Sequence, residues 1–422
     1  MMRQALRGRN RARAIKRAAC WGAAFSTALI AISCTGSARA CPFCFGSLQL
    51  SLREQIEASA ATLIVRWKSG DPGDLKQEVP ASTTFEVVEV LHGDAVGRVL
   101  KIDRYQAGKR GDVFLMSALR LDDVLQWDRS IPLSGVGLDY LRDLPAQSAS
   151  TTDKLRYAVR FLESADDTVA TDAFSVLGSA RYEDIAVLKD ELPRENLRRW
   201  TFGQEKIKGQ LGVYGMLMGL CGDETDCDKL EALVLDTRGP DDFRLGISGV
   251  MGGYLLLSGT DGLEVLERAF LANGASSASD QAAAMEALRF IGQYAEDRIR
   301  KPRLAQSLRR NLATIGFPEL AIADLARWQD WSSAGELIQL YDGPQQPDKY
   351  VKRAIIQFMI LASQANREGL SVQEAAALEA ASRFIERLQK DEPAAYQRAE
   401  RSVVPMSISP RHCRPTSCTW RC

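Results

Sequence analysis

The amino-acid sequence predicts a multidomain α+β protein, a small antiparallel β-barrel or sandwich followed by an all-α solenoid of helix pairs. Three observations carry this. Period-two alternation of β-branched and apolar residues is confined to about residues 61–131. A helix–Gly–turn–helix pattern then recurs every 33–37 residues over about 155–365. Ahead of both stands a basic, then apolar, leader ending in Ala38-Arg39-Ala40.

The leader divides the 422 residues into an expected segment 1–40 and a mature chain beginning Cys41-Pro42-Phe43-Cys44. Residues 1–40 hold eight Lys/Arg and no acid, and Trp21 to Ile32 is an apolar stretch too short for a stable span. No pair of adjacent arginines precedes it, which points to general secretion. Cleavage after Ala40 and an extracytoplasmic location, secreted or periplasmic, follow as expectations. The alternative takes Ala31-Ile32-Ser33-Cys34 as a lipoprotein signal with a lipid anchor on Cys34, although Ala31 stands where Leu is usual. Nothing downstream reads as a membrane span. The whole chain has 54 basic and 54 acidic residues, so the part after residue 40 carries 46 against 54, a net charge of −8. That balance argues against nucleic acid as a partner, which needs a concentrated basic face.

Residues 41–145 form the expected β-domain. A short helix over 50–58 leads into Ala61 to Trp67, then Thr83 to Leu91, Val99 to Ile102 and Val113 to Met116. In the second strand Phe85, Val87 and Glu89 share one face, with Val88 and Val90 on the other. Gly93-Asp94 and Gly111-Asp112 supply turns. Residues 146–398 form the expected solenoid. Gly178, Gly222, Gly259 and Gly292 each close an apolar helix that is followed by another. The second helices align too, Asp228 to Leu233 standing 33 residues before Asp261 to Leu266. The apolar sets 284, 287, 288, 291 and 355, 358, 359, 362 have helical spacing. Each such unit buries its apolar face against its neighbours. Residues 399–422 are a basic, Cys-rich tail expected to be disordered.

The helical units resemble HEAT repeats, on the strength of the period and the helix–Gly–turn–helix pattern. The β-domain resembles the netrin-like or tissue-inhibitor-of-metalloprotease barrel, an OB-type fold. Cys41 at the mature terminus, Ala61 to Val65 and Phe85 to Gly93 carry that likeness. It implies metalloprotease inhibition by the free amino group and carbonyl of Cys41. The chain departs from the family in beginning Cys-x-x-Cys and in having no cysteine from 45 to 220.

Seven cysteines lie beyond the leader: Cys41, Cys44, Cys221, Cys227, Cys413, Cys418 and Cys422. In an oxidising compartment all are disulfide candidates, and Cys221 and Cys227, flanking a polar turn, suit a local bridge. Cys41 and Cys44 also have redox-dithiol spacing. No strand precedes them to present the pair on a helix N-terminus, so a structural disulfide is preferred. Only two histidines exist, His92 and His412, which leaves few ways to build a catalytic triad or a histidine metal site. No complete catalytic motif is present and no cofactor is expected. Asp223, Glu224, Asp226 and Asp228 read as a solvated turn, since a calcium loop would need a central Gly and a closing Glu. Arg327-Trp328-Gln329-Asp330-Trp331, together with Arg289, forms the candidate binding surface. The expectation is a non-enzymatic extracytoplasmic binding or scaffold protein that engages a protein or peptide through its helices. A thiol–disulfide oxidoreductase using Cys41 and Cys44, and the metalloprotease inhibitor, are the alternatives.

Overall fold

The structure, a computed structural model, describes residues 43, 50–74, 76, 78–94, 97–203, 210–237, 243–344 and 347–403. It is α+β, and the chain divides into two compact units. The described residues of 50–185 make the first; those of 186–403, together with Phe43, make the second. Residues 146–185, grouped with the helical region by the sequence, therefore pack with the sheet.

Five antiparallel strands form the sheet of the first unit: β1 (Ala61–Asp71), β2 (Ser82–His92), β3 (Val99–Ile102), β4 (Val113–Leu121) and β5 (Val124–Leu133). Their order is β3-β2-β1-β4-β5, and the sheet curls into a half-barrel. Within the curl, Leu63, Val65, Phe85, Leu100, Phe114 and Met116 make one apolar core, with Trp67, Val87 and Trp127 at its margin. Pairing of Leu63 with Met116 and of Val65 with Phe114 sets these side chains on one face, while Ile64 and Leu115 pair on the other.

The strand β2 departs from simple alternation. Val65 pairs with Val87 but Ile64 pairs with Glu89, so Val88 is an extra residue and the phase of the strand switches there. Phe85 and Val87 thus face the inner core, whereas Glu89 reaches Arg142 at 3.4 Å and Leu91 joins the core on the opposite face. β4 and β5 are joined through Asp122 and Asp123, whose φ values of 47° and 63° are those a tight two-residue hairpin turn demands.

Four helices cover the other face: α1 (Leu52–Ala58), α2 (Gly135–Arg142), α3 (Thr151–Ala158) and α4 (Asp167–Ser179). Each starts on a capping side chain. Ser51 and Glu54 form a reciprocal capping box, Ser134 and Ser150 accept from the third amide, and Asp166 accepts from Thr168 and Val169. Leu52, Ile56, Tyr140, Leu141, Leu144 and Val169 pack there with Leu115 of the sheet. A short α5 (Tyr182–Ala186) comes next.

The second unit is helical: α6 (Arg194–Phe202), α7 (Leu211–Cys221), α8 (Glu224–Leu235), α9 (Ile247–Ser258), α10 (Thr260–Leu266), α11 (Ala278–Tyr294), α12 (Lys301–Asn311), α13 (Pro318–Arg327), α14 (Ala334–Asp342), α15 (Lys349–Ser363), α16 (Val372–Asp391) and α17 (Pro393–Glu400). A π-helical turn, Glu267–Leu271, prolongs α10. Helices α7 and α9 are buried almost all round and touch backbone to backbone. A Cβ added at Gly253 would lie 1.9 Å from the Gly215 carbonyl oxygen, and one at Gly219 would lie 2.4 Å from the Gly253 Cα. Glycine is what permits this approach. The isolated Phe43 is fully buried in the same unit, its ring 4.8 Å from that of Phe290 and over Gly252.

Ion pairs with limited exposure link distant segments of this unit. Arg244 binds Asp280 at 2.6 Å, Arg289 binds Asp324 at 2.8 Å, and Arg303 binds Glu267 at 2.7 Å, over separations of 36, 35 and 36 residues. Arg198 reaches Asp226 at 2.8 Å. Burial pushes the carboxyls of Asp226 and Glu267 up, yet their arginines hold both below the ordinary carboxylate range.

Candidate functional site

A cleft of about 100 Å³ opens in the first unit, among the helices that cover the sheet. The amino end of α1 contributes Ser51, Arg53 and Glu54. Tyr140 comes from α2, and Leu144, Pro145 and Gln147 from the loop after it. Lys154, Tyr157 and Ala158 lie on α3, and Asp172, Val176 and Ser179 on α4.

Asp172 is the centre of this arrangement. It is 3% exposed and stands in the apolar stripe of α4 with Val169, Ala173 and Val176. Its carboxylate accepts a hydrogen bond from the Leu52 amide, the first of α1, and one of 2.7 Å from the Tyr140 hydroxyl. Burial pushes the Asp172 carboxyl above its ordinary range; the two hydrogen bonds and the charge of Arg53 oppose that rise without cancelling it. Tyr140 is 1% exposed, and burial followed by the charge of Asp172 keeps its hydroxyl protonated as a donor. The Tyr157 hydroxyl donates to the Tyr140 carbonyl at 2.9 Å and is pushed up to about 12, mainly by burial. Tyr140, Tyr157 and Phe161 form a ring cluster with centroids 4.9–5.1 Å apart, and the Arg160 guanidinium lies 5.5 Å over Phe161.

Two cations stand at the rim. The Arg53 guanidinium donates to the carbonyls of Leu144 at 2.9 Å and Pro145 at 3.1 Å, and the Lys154 ammonium donates to that of Gln147 at 2.6 Å. Both are thus held by one loop through neutral acceptors. Among the described residues neither has a carboxylate within ion-pair distance. Glu54, by contrast, is engaged by the Ser51 amide and hydroxyl, each at 2.8 Å. The cleft therefore combines two cations held by backbone carbonyls, a carboxyl whose ionisation is opposed by burial, and an apolar wall of Leu144, Ala158 and Val176.

Comparison with protein-family models and with curated proteins finds no match to this chain. The cleft must be understood from its own chemistry.

The residues singled out by the sequence lie elsewhere. Arg289 and Arg327 come together, both on the buried Asp324. Trp328 is half-buried with its indole against Gly292, where a Cβ would lie 2.9 Å from the ring nitrogen. Trp331 is 5% exposed and packs on Phe358 at 5.4 Å. The bridge expected between Cys221 and Cys227 is not formed, and both thiols are free. Cys221 ends α7 in a buried position that pushes its thiol up to about 11, while Cys227 sits in the first turn of α8. The polar turn between them is the N-cap of α8, where Asp223 and Asp226 form a capping box. Cys34, Cys41, Cys44, Cys413, Cys418 and Cys422 lie outside the described residues. Among the described residues no group of His, Cys, Asp and Glu could hold a metal ion, and no helix is long and apolar enough to cross a membrane.

None of the cleft's polar residues was singled out from the sequence. One signal was present: Asp172 occupies the apolar side of a helical stripe, within the set 169, 172, 173 and 176. Its partners, 32 and 120 residues away, carry no comparable mark.

Proposed function

We propose that the chain is a non-enzymatic, extracytoplasmic binding protein whose ligand seats in the cleft over Tyr140 and Asp172. The observation that supports this most is the pair of rim cations, Arg53 and Lys154, fixed by backbone carbonyls and left without carboxylate partners among the described residues. In the helical unit Arg244, Arg289 and Arg303 each meet a carboxylate instead. Convergent polar groups in a largely apolar concavity are the usual composition of a small-molecule site. The leader ending at Ala40 supports the extracytoplasmic placement, and the net charge of −8 over residues 41–422 argues against nucleic acid as the ligand.

A second reading, a scaffold that engages protein or peptide partners through the helices, is favoured by the helical unit. Its Arg–carboxylate pairs at separations of 35 and 36 residues support a HEAT-like repeat, each pair linking segments about one period apart. Phe243 at 72% exposure, Tyr350 at 59% and Val372 at 89% offer apolar contact points.

Equilibrium dialysis of the full chain against a pool of small acids, amines and neutral solutes, read by mass spectrometry, tests the cleft. Retention of at least one solute by the native chain, abolished by Ser179→Trp at the exposed mouth, is the expected result. Retention unchanged in that variant places the ligand elsewhere and removes the cleft from the account.

A further inference from the structure

We infer that the cleft takes a small amphipathic carboxylate, its anionic head between Arg53 and Lys154 and its apolar tail against Leu144, Ala158 and Val176. This rests on the cleft being the ligand site.

The sign of the ligand follows from which charges are already satisfied. Glu54 accepts the Ser51 amide and hydroxyl through Oε2 alone, whereas Asp172 engages both oxygens, one with the Leu52 amide and one with the Tyr140 hydroxyl. Arg53 uses two of its five N–H donors on carbonyls, through Nε and one terminal nitrogen, and keeps the rest. Lys154 donates to the carbonyl and, at 3.3 Å, the side-chain oxygen of Gln147. The unused N–H donors belong to the two cations, while the Glu54 Oε1 is the acceptor that remains. A planar carboxylate suits the remaining fork of the Arg53 guanidinium, and Lys154 adds a point charge.

The size of the ligand follows from the volume. About 100 Å³ admits a short aliphatic or single-ring tail and excludes an extended peptide. The Leu144, Ala158 and Val176 side chains offer that tail only dispersion and burial.

Occupancy is coupled to protonation. The groups facing Asp172 are Arg53 and Glu54 from α1, Tyr140 from α2 and Tyr157 from α3. An anion bound beside Arg53 weakens the one positive charge that favours ionised Asp172. Binding therefore draws a proton onto Asp172, and affinity falls as the pH rises through the range in which that carboxyl ionises.

Isothermal titration of the full chain with butyrate, hexanoate and benzoate, alongside butyramide and butylamine, tests this. Saturable binding of a carboxylate is expected, with butyramide and butylamine at least about tenfold weaker. Lys154→Gln, a rim change that leaves the core intact, should weaken the carboxylate by about tenfold, and Arg53→Gln by more, with thermal melting reporting that each remains folded. The strengthening of binding as the pH is lowered should disappear in Asp172→Asn. Preference for the amide or the amine overturns the carboxylate assignment while leaving the cleft as a binding site. Failure of all five probes, or carboxylate binding indifferent to both rim variants, overturns the proposal together with the reading of the cleft.

Discussion

Replacing Tyr140 by Phe removes one oxygen atom from the floor of the cleft and leaves the ring where it is. The ring keeps its contacts with Tyr157 at 5.1 Å and Phe161 at 4.9 Å, so the packing of α2 on α3 is retained. What is lost is the 2.7 Å hydrogen bond to Asp172, one of only two that the buried carboxylate receives among the described residues. Leaving a buried carboxyl short of a donor costs about 2–3 kcal/mol. At about 3 °C per kcal/mol for a unit of this size, the melting temperature at pH 7.5 should fall by about 6–9 °C. The sign of the pH dependence follows from the raised folded-state pKa of Asp172. Stability from such a group is fully present below its unfolded value of 3.8 and is lost as the pH rises through the folded value. The Tyr140 hydroxyl lowers that folded value, so the variant raises it and extends the loss to higher pH. As the pH falls and the carboxyl becomes protonated in both proteins, the difference should shrink. Differential scanning calorimetry across pH 4–8 reads this directly. An equal shift at both ends of the range, or none at pH 7.5, would refute the claim that the hydroxyl supports a buried carboxylate.

Three further outcomes concern the helical unit. Gly253→Ala puts a methyl 1.9 Å from the Gly215 oxygen and should destabilise the unit by about 3 kcal/mol or more, since neither backbone can yield without separating α7 from α9; urea unfolding measures it. Asp324→Ala removes the carboxylate from the half-buried Arg289 and should cost about 1–3 kcal/mol, while Asp324→Asn, which keeps one acceptor, should cost less; a melting difference in the opposite order would contradict the pairing. Phe43→Ala should cost about 3–5 kcal/mol of the helical unit's stability in urea unfolding, whereas Phe43→Leu should cost less.

The sheet was largely legible because its inner strands carry long β-branched runs. β5 was not, because an edge strand tolerates Gln126, Arg129 and Pro132 and so loses the alternation that marks a central one. The switch of phase at Val88 was invisible for a related reason: a bulge is a property of the pairing between two strands. Glycines misled in an instructive way. Gly222 and Gly259 do stand just past the ends of helices, as expected, but Gly178 and Gly292 lie within theirs, and Gly292 leaves room for the Trp328 indole. Trp328 and Trp331 read equally well as surface or core because sequence spacing does not say what stands opposite a ring. The cleft was the least legible feature, since it gathers residues from four helices and a loop that form for unrelated reasons. Only Asp172, a carboxylate in an apolar stripe, announced itself.

The central claim is that ligand enters the sheet unit over Tyr140 and Asp172. Fluorine resonance of the full chain labelled with fluorotyrosine tests it most directly, because Tyr140 and Tyr157 line the cleft while Tyr254 and Tyr341 lie in the helical unit. Titration with hexanoate should shift the Tyr140 and Tyr157 signals in a saturable way and leave those of Tyr254 and Tyr341 unmoved. Saturable shifts confined to Tyr254 or Tyr341, or no shift at Tyr140 and Tyr157 under saturating ligand, would contradict the account.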